Sequence, residues 1–279
     1  MPELPEVETV CRSLRQTVLH QKIEIVDIYL PRLIQQPSAE EVKALLPGCC
    51  FDAVRRRGKY ILLELSNGMT LVVHLRMTGK LLYVSEEEPL GKHTHIVMTL
   101  ENHNTLQYDD VRQFGTLWLL KTEDCNQLPG LASLGIEPLS DQFTVQWLME
   151  QMQGKKQKVK TFLLDQHVIA GIGNIYADEI LFQAGIHPEA LVCNLADEKT
   201  AAALWFAIGD RLELGIAYGG SSIKDYVDSL GNAGSFQKLH RVYGRNGQPC
   251  VNCGCPLEKI TIAGRSSCYC PNCQKKFDN

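Results

Sequence analysis

Four cysteines near the carboxyl end of this 279-residue chain restrict its fold more than any other feature. They form two CxxC pairs, Cys250 with Cys253 and Cys270 with Cys273, and sixteen residues separate the pairs. This spacing is typical of a four-thiolate zinc site, in which each pair forms a tight turn and the intervening segment forms a hairpin. Because four thiolates leave no open position for water, the sequence predicts one structural Zn²⁺ that the small module needs in order to fold.

Two further cysteines, Cys255 and Cys268, compete with this assignment. Either one would shorten a two-residue spacer to one residue, which closes the turn around a metal poorly, so we expect both to lie outside the site. The predicted tip of the hairpin, residues 263–267, carries Arg265 among small residues. An arginine in that position is well placed to enter a groove or to contact a phosphate.

The distribution of charge points to a polyanionic partner, although the net charge of −4 does not. Basic residues cluster at 55–59 and at 155–160, and the segment from Lys238 to Asn279 has seven Lys/Arg against two acids. Such clusters favour one face built for nucleic acid, with scattered solvated charge as the alternative. A signal peptide has basic residues followed by a long apolar stretch, whereas the first residues here are acids and prolines. We therefore expect a cytoplasmic protein that binds no membrane.

The hydrophobic pattern changes along the chain. Residues 5–19 have the pattern of an amphipathic helix, and residues 23–120 contain short apolar runs separated by turns, which predicts a β-sandwich with one or two helices. Residues 141–215 are predicted to be helical. The Gly-rich stretch 219–235 is too polar for a core, and we expect a mobile loop there.

The second residue, Pro2, is a candidate nucleophile, because removal of Met1 would free its secondary amine. A terminal amine has a pKa of about 8 against about 10.4 for lysine, so much more of it is unprotonated at neutral pH. Attack of this amine on C1′ of a sugar gives an iminium ion, and the adjacent Glu3 is a candidate acid or base. The alternative is structural, since proline followed by glutamate commonly begins a helix.

Several segments, in order along the whole chain, resemble the formamidopyrimidine-DNA glycosylase family. They are Met1–Val10, Arg56–Tyr60, His74–Met77, Lys92–His95, Arg112–Gly115, Ala170–Glu179, Val242–Arg245 and the CxxC pairs. The resemblance implies a bifunctional enzyme of base-excision repair that releases oxidised purines from duplex DNA and then cleaves the strand at the abasic site. It also implies a monomer with one structural zinc, whose partner is double-stranded DNA containing oxidised bases or abasic sites.

The resemblance implies a role for each matching position. Pro2 would form the Schiff base, Glu3 would donate a proton, and Lys59 and Arg265 would assist β- and δ-elimination. The implied DNA contacts are His74, Met77, His93, Arg112, Phe114, Lys155, Lys160, Asn174 and Tyr243. Among these, Met77, Arg112 and Phe114 would enter the gap left by an everted nucleotide. For Met77 and Phe114 the alternative is an ordinary place in the core, and for Lys59 it is a phosphate contact without proton transfer.

The implied fold class is α+β multidomain. We expect a catalytic β-sandwich domain with flanking helices at residues 1–130, a helix-two-turns-helix domain with a lesion-capping loop at 131–235, and a zinc-ribbon hairpin at 236–279. Two other functions compete with excision of purines. One is an endonuclease VIII-like glycosylase for oxidised pyrimidines, and the other is a non-catalytic zinc protein that binds damaged DNA. An RNA-binding protein has little support, because no base-stacking platform is recognisable.

Overall fold

The computed structural model describes residues 1–223 and 225–277. The chain forms two compact units: unit 1 is Met1–Ala132 with Tyr218–Gln237, and unit 2 is Ser133–Ala217 with Lys238–Asn279. The Gly-rich stretch therefore belongs to unit 1, and the cysteine-rich end shares unit 2 with the helices. The three-domain division with boundaries at 130 and 235 stays a prediction. In the described residues, no helix has the length and apolar character needed to cross a membrane.

The described residues of unit 1 form nine strands in two sheets. In chain order the strands are β1 (Ile23–Ile28), β2 (Ile34–Gln36), β3 (Phe51–Arg57), β4 (Tyr60–Leu65), β5 (Met69–His74), β6 (Gly79–Ser85), β7 (Thr94–Leu100), β8 (Asn104–Asp110) and β9 (Thr116–Lys121). One sheet has the order β1-β7-β8-β6 and is antiparallel. The other has the order β2-β9-β5-β4-β3 and is antiparallel except where β2 pairs with β9.

Side chains from both sheets form one core, as a β-sandwich requires. Ile61 of β4 and Met98 of β7 are fully buried members of the same cluster. Helix α1 (Leu4–Thr17) adds Val7, Val10 and Leu14, which the helical period places on one face. Burial of such side chains stabilises the fold by roughly 1.5–3 kcal/mol each. Two short helices, α2 (Ala39–Leu45) and α3 (Pro129–Ala132), complete the unit, and the predicted sandwich with flanking helices is confirmed.

Ser229 in the Gly-rich stretch packs against α1 and β6, and the predicted mobility of the stretch stays a prediction. Ser229 is fully buried, and its backbone N–H and hydroxyl both donate to the Ser13 hydroxyl, at 3.1 and 2.6 Å. Its carbonyl accepts a hydrogen bond of 2.7 Å from the Tyr83 N–H. A polar residue can be buried here because each polar group finds a partner.

Where the structure describes unit 2, four α-helices are followed by a hairpin. The elements are α4 (Val145–Met152), α5 (Val159–Leu164), α6 (Asn174–Ala184), α7 (Glu198–Ala217), β10 (Glu258–Ile262) and β11 (Arg265–Tyr269). Helix α6 ends at Gly185, which has the left-handed φ of 70° that favours glycine at a helix end. The hairpin turn is Ala263-Gly264, and both residues have positive φ, as a two-residue turn of type I′ requires. The predicted helices and zinc-ribbon hairpin are confirmed.

Two glycines in very different surroundings test how tightly each unit is packed. A Cβ on Gly115 would lie 1.5 Å from the hydroxyl oxygen of Tyr108, which is fully buried, whereas a Cβ on Gly209 of α7 would meet no described atom within 4 Å. We expect Gly115→Ala to lower the free energy of unfolding by about 1–3 kcal/mol through overpacking. Gly209→Ala should raise it by about 1 kcal/mol, because alanine is the better helix former.

Urea unfolding of the two variants and the unmodified protein measures both changes. Equal midpoints for all three proteins would contradict the packing described around Tyr108.

Candidate functional site

Pro2 and Glu3 lie buried at the start of α1. Glu3 is the N-cap residue and is 3% exposed, and its N–H donates to the Glu6 carboxylate at 2.8 Å in a capping box. Met1, by contrast, is half exposed. Removal of Met1 would therefore leave the Pro2 nitrogen at the end of an ordered helix start, beside a buried carboxylate.

Glu6 connects this helix start to the Gly-rich stretch. Its second carboxylate oxygen accepts a hydrogen bond of 2.7 Å from the Ser221 N–H, and its carbonyl accepts one of 3.1 Å from the Tyr226 hydroxyl. Gly220 has a φ of +79°, and a Cβ there would lie 2.8 Å from the Glu6 side chain. The close approach thus requires glycine. Sequence reasoning assigned no site role to Glu6, although it stands within the quoted Met1–Val10 motif.

Lys59 lies in the two-residue turn between β3 and β4, next to the end of β5. Gly58 takes a positive φ of 55° and precedes Lys59, which is 6% exposed. The next residue, Tyr60, pairs across the sheet with His74, and the two rings meet edge to face at 4.5 Å. The turn therefore brings Lys59 and His74 to the same end of the sheet.

His74 is held as a neutral hydrogen-bond donor. Burial, together with the charges of Arg76 and Lys59, lowers the pKa of His74 to about 3. Its Nδ1 accepts a hydrogen bond of 3.0 Å from the Arg76 N–H, so the ring proton lies on Nε2. The Nε2–H can donate to an anion at neutral pH without a change in protonation.

Met77, Arg112 and Phe114 form one exposed cluster. The Arg112 guanidinium lies 4.7 Å from the centre of the Phe114 ring, and its Nη1 is 2.9 Å from the Met77 sulfur. Met77 is 44% exposed and Phe114 is 53% exposed, so neither belongs to the core. Large apolar side chains that stand in solvent beside a cation are suited to insertion between bases.

A buried carboxylate that sequence reasoning missed, Asp110, orders the loop that carries this cluster. It accepts hydrogen bonds from the Thr78 hydroxyl, the Arg112 N–H at 3.2 Å and the Gly115 N–H at 2.8 Å. The Asp110 N–H in turn donates to the carbonyl of the half-buried His93. In the sequence, the only indication of this role was the position of Asp110, two residues before Arg112.

In unit 2, Lys160 lies inside the fold. Its side chain is fully buried, and its ammonium group donates to Asp178 at 2.5 Å and to the Ser266 carbonyl at 3.1 Å. Its ammonium group thus has partners within unit 2, and the contact of Lys160 with the DNA backbone stays a prediction. Lys155, in contrast, is half buried, with its ammonium group 5.3 Å from the centre of the Phe162 ring.

The Lys160–Asp178 pair fixes the first residues of β11. Asp178 also accepts hydrogen bonds from the Ser267 hydroxyl at 2.6 Å and from the Cys268 N–H at 3.0 Å. Asn174, the first residue of α6, donates through its side-chain amide to the Ser266 carbonyl at 3.1 Å. The exposed Arg265 directly precedes these anchored residues.

A second buried carboxylate, Glu179, orders the segment that carries Tyr243. It accepts hydrogen bonds from the N–H groups of Arg241, Val242 and Tyr243, at 2.9–3.1 Å. The Tyr243 ring meets the His240 ring edge to face at 5.5 Å. Asp178 and Glu179 both belong to the quoted Ala170–Glu179 segment, but only the structure reveals what they hold.

The four predicted cysteines form a metal centre. The sulfurs of Cys250, Cys253, Cys270 and Cys273 all lie within 4.8 Å of one another, with 3.8 Å between Cys250 and Cys273 and 3.5 Å between Cys253 and Cys270. Tetrahedral zinc with bonds of about 2.3 Å places its sulfurs about 3.8 Å apart, so the donor set fits Zn²⁺. Backbone N–H groups of Asn252 and Cys273 point at two of the sulfurs, as thiolates require.

Replacement of one ligand tests this assignment. Cys270→Ser should abolish stoichiometric zinc binding and unfold the hairpin, because the metal supplies much of the folding free energy of such a module. Cys255→Ser is the matched control, since Cys255 lies nearby but outside the four-sulfur cluster. Metal analysis by mass spectrometry measures the zinc. Retention of one zinc in Cys270→Ser, or its loss in Cys255→Ser, would contradict the ligand set.

Three family models match consecutive parts of the chain. They are the formamidopyrimidine-DNA glycosylase N-terminal domain at residues 1–117, the formamidopyrimidine-DNA glycosylase H2TH domain at 134–227, and a zinc finger found in FPG and IleRS at 247–276. The last match covers the four cysteines and supports a structural zinc. A formamidopyrimidine-DNA glycosylase from Pelotomaculum thermopropionicum is 45% identical over 275 residues, which cover 99% of both chains.

Solved structures of Lactococcus lactis Fpg bound to DNA have the same fold. A complex with DNA containing Fapy-dG has a TM-score of 0.92 and 38% identity, and covers 99% of this chain and all of the other. Complexes with DNA containing an abasic site or an oxidised pyrimidine have TM-scores of 0.91, with 38% and 37% identity, and cover 98% and 99% of this chain and all of the other. Matches of this extent show that the chain belongs to the formamidopyrimidine-DNA glycosylase family.

Proposed function

We propose that this DNA glycosylase releases oxidised purines, including formamidopyrimidines and 8-oxoguanine, from duplex DNA and then cleaves the strand at the abasic site. The observation that carries the proposal is the helix start, where the Pro2 nitrogen would be freed beside the buried Glu3. A protein that only binds DNA needs no nucleophilic terminus. The named activity of the relatives and the Lactococcus lactis complexes support the same conclusion.

In the proposed first step the lone pair of the Pro2 nitrogen bonds to C1′, and the glycosidic bond breaks. Its electron pair leaves with the base, which takes up the proton lost by the amine. Glu3 then donates a proton to the sugar ring oxygen as the C1′–O4′ bond opens, and an iminium ion forms between Pro2 and C1′. The hydrogen bond between the Glu3 N–H and Glu6 supports this role, because it fixes the residue next to the nucleophile.

Strand cleavage follows from the iminium ion. Loss of a C2′ proton breaks the C3′–O bond, and the phosphate leaves with the electron pair; loss of a C4′ proton then breaks the C5′–O bond. We propose that Lys59 donates a proton to the first departing phosphate. Arg265 donates a proton to the second. Lys59 is nearly buried in a tight turn, which favours a fixed position over a mobile surface charge.

Binding of the duplex rests on groups of two kinds. Met77, Arg112 and Phe114 would fill the stack after eversion of the lesion, while His74 would donate a neutral hydrogen bond to a phosphate. In unit 2, Lys155, Asn174 and Tyr243 are the proposed backbone contacts, along with His93 in unit 1. The exposure of Met77 and Phe114 supports the first assignment.

The range of lesions is a separate question, because one Lactococcus lactis complex contains an oxidised pyrimidine. Purines remain the proposed main substrates, since the family models name formamidopyrimidine excision and the Gly-rich stretch is tied to the helix start through Glu6. An endonuclease VIII-like preference would reverse the order of rates on duplexes with 8-oxoguanine and thymine glycol.

Borohydride trapping tests the nucleophile and the substrate together. Processed, zinc-loaded protein should form a covalent adduct with an 8-oxoguanine duplex, and peptide mapping should locate it at Pro2. Adduct should form more slowly on the thymine glycol duplex. A protein with an amino-terminal extension should form none, because its Pro2 nitrogen is then in an amide, while a carboxyl-terminal extension serves as the matched control.

Trapping of the amino-terminally extended protein, or an adduct at Lys59, would contradict the assignment of Pro2. Tight binding of the duplex with neither trapping nor cleavage would leave a protein that only recognises damage.

Lys59→Met tests proton donation by Lys59. Methionine keeps much of the side-chain volume and removes the charge, so β-elimination should slow by about 10²–10⁴-fold while the Pro2 adduct still forms. Single-turnover assays on a preformed abasic duplex measure elimination, and binding assays at several salt concentrations measure affinity. Normal elimination with a salt slope reduced by about one would show a phosphate contact without proton transfer.

A further inference from the structure

Helix α7 carries exposed aromatic side chains beside its buried face. Ala201, Leu204, Ile208 and Leu212 form the buried face. Trp205 at the edge of this face and Phe206 beyond it are 38% and 58% exposed. Large aromatic side chains exposed next to each other on one helix are typical of a surface that binds a partner.

A groove of about 530 Å³ runs along these exposed side chains. Its other wall is the segment 138–145, which contributes Leu139, Phe143 and Val145. The indole N–H of Trp205 donates to the Phe143 carbonyl at 2.6 Å, and the Thr144 hydroxyl caps α4 by accepting from the Trp147 N–H. These bonds hold both walls, so the groove is preformed and has the volume of an ordinary ligand site.

The floor of the groove includes a glycine that packing within the chain does not require. Gly209 stands in the middle of α7, where glycine weakens a helix, and a Cβ there would meet no described atom within 4 Å. Its φ is not positive either. A glycine in such a position is explained when another molecule approaches the helix backbone closely.

Acidic side chains surround the groove. Asp141 and Glu213 are exposed members of its lining, and Asp210 is a third, which also pairs with Arg211. Among the described residues, those proposed to contact DNA lie outside this lining. The charge is wrong for a nucleic acid and complementary to a cationic partner.

We propose that this groove binds a segment of a partner protein in which a bulky apolar side chain stands beside lysine or arginine. The apolar side chain occupies the space over Gly209, next to Trp205 and Phe206, and the basic residue faces Asp141 or Glu213. This inference does not depend on the proposed DNA chemistry, because the two sets of residues are separate.

Selection from a phage library of random peptides of about a dozen residues, against the zinc-loaded full chain, tests the proposal. Selected peptides should combine an aromatic or large aliphatic residue with an adjacent Lys or Arg. Synthetic, dye-labelled copies should bind saturably by fluorescence anisotropy, with affinity that falls as salt rises. Acidic consensus sequences, or the absence of any enriched peptide, would overturn the proposal.

Two variants locate the binding site. Gly209→Leu fills the floor and Phe206→Ser removes a wall, so each should weaken the selected peptides by about tenfold or more. Leu191→Ser, which changes an exposed apolar residue of unit 2 outside the groove lining, is the matched control. All three should keep the base-release rate of the unmodified protein, which separates this test from that of the DNA chemistry.

Unchanged peptide affinity in both groove variants would overturn the assignment to the groove. Concentration-dependent self-association that Phe206→Ser abolishes would show that a second copy of the chain is the occupant instead.

Discussion

The Glu6 carboxylate is the constraint on which the candidate catalytic end of the protein depends. One oxygen accepts the Glu3 N–H and the other accepts the Ser221 N–H, so a single buried group fixes both the helix start and the Gly-rich stretch. A buried carboxylate is costly unless donors satisfy it, and here backbone donors from both segments do so. Displacement of the stretch would remove the Ser221 N–H as a donor to Glu6. The position of the proposed nucleophile and the order of the Gly-rich stretch are therefore energetically coupled.

Buried carboxylates likewise fix three other segments that carry proposed site residues. Asp110 collects donors beneath Arg112 and Phe114, Asp178 anchors the residues after Arg265, and Glu179 holds three consecutive N–H groups that end at Tyr243. Hydrogen bonds to a charged acceptor are worth more than neutral ones, and loss of the acceptor would leave buried donors unsatisfied. Proposed site residues in loops and at the start of β11 thus obtain fixed positions from a neighbouring buried carboxylate.

Sequence patterns predicted what depends on neighbours in the chain. The period of α1, the short apolar runs within residues 23–120 and the two CxxC turns are local, and the structure has a helix, strands and a cysteine cluster there. Burial of Lys160 and Ser229 was not predicted, since their partners Ser266 and Ser13 lie 106 and 216 positions away. A lysine in a basic run and a serine in a Gly-rich stretch both have the composition of solvated surface. Only the tertiary fold supplies the carbonyls, hydroxyls and carboxylate that allow their burial.

The net charge of −4 is a sum that does not show how unit 2 separates charges of opposite sign. Lys155 and Arg265 lie among the proposed DNA contacts, whereas Asp141, Asp210 and Glu213 line the groove beside α7. Average charge therefore says little about the partners of such a chain, since each surface presents its own field within a Debye length of about 8 Å. The apolar residues of α7 predict that the helix is covered. They do not distinguish a face that the chain itself covers from a face that another molecule covers. Gly209 distinguishes them, because a residue that weakens its own helix and fills no contact within the chain is accounted for by an approach from outside.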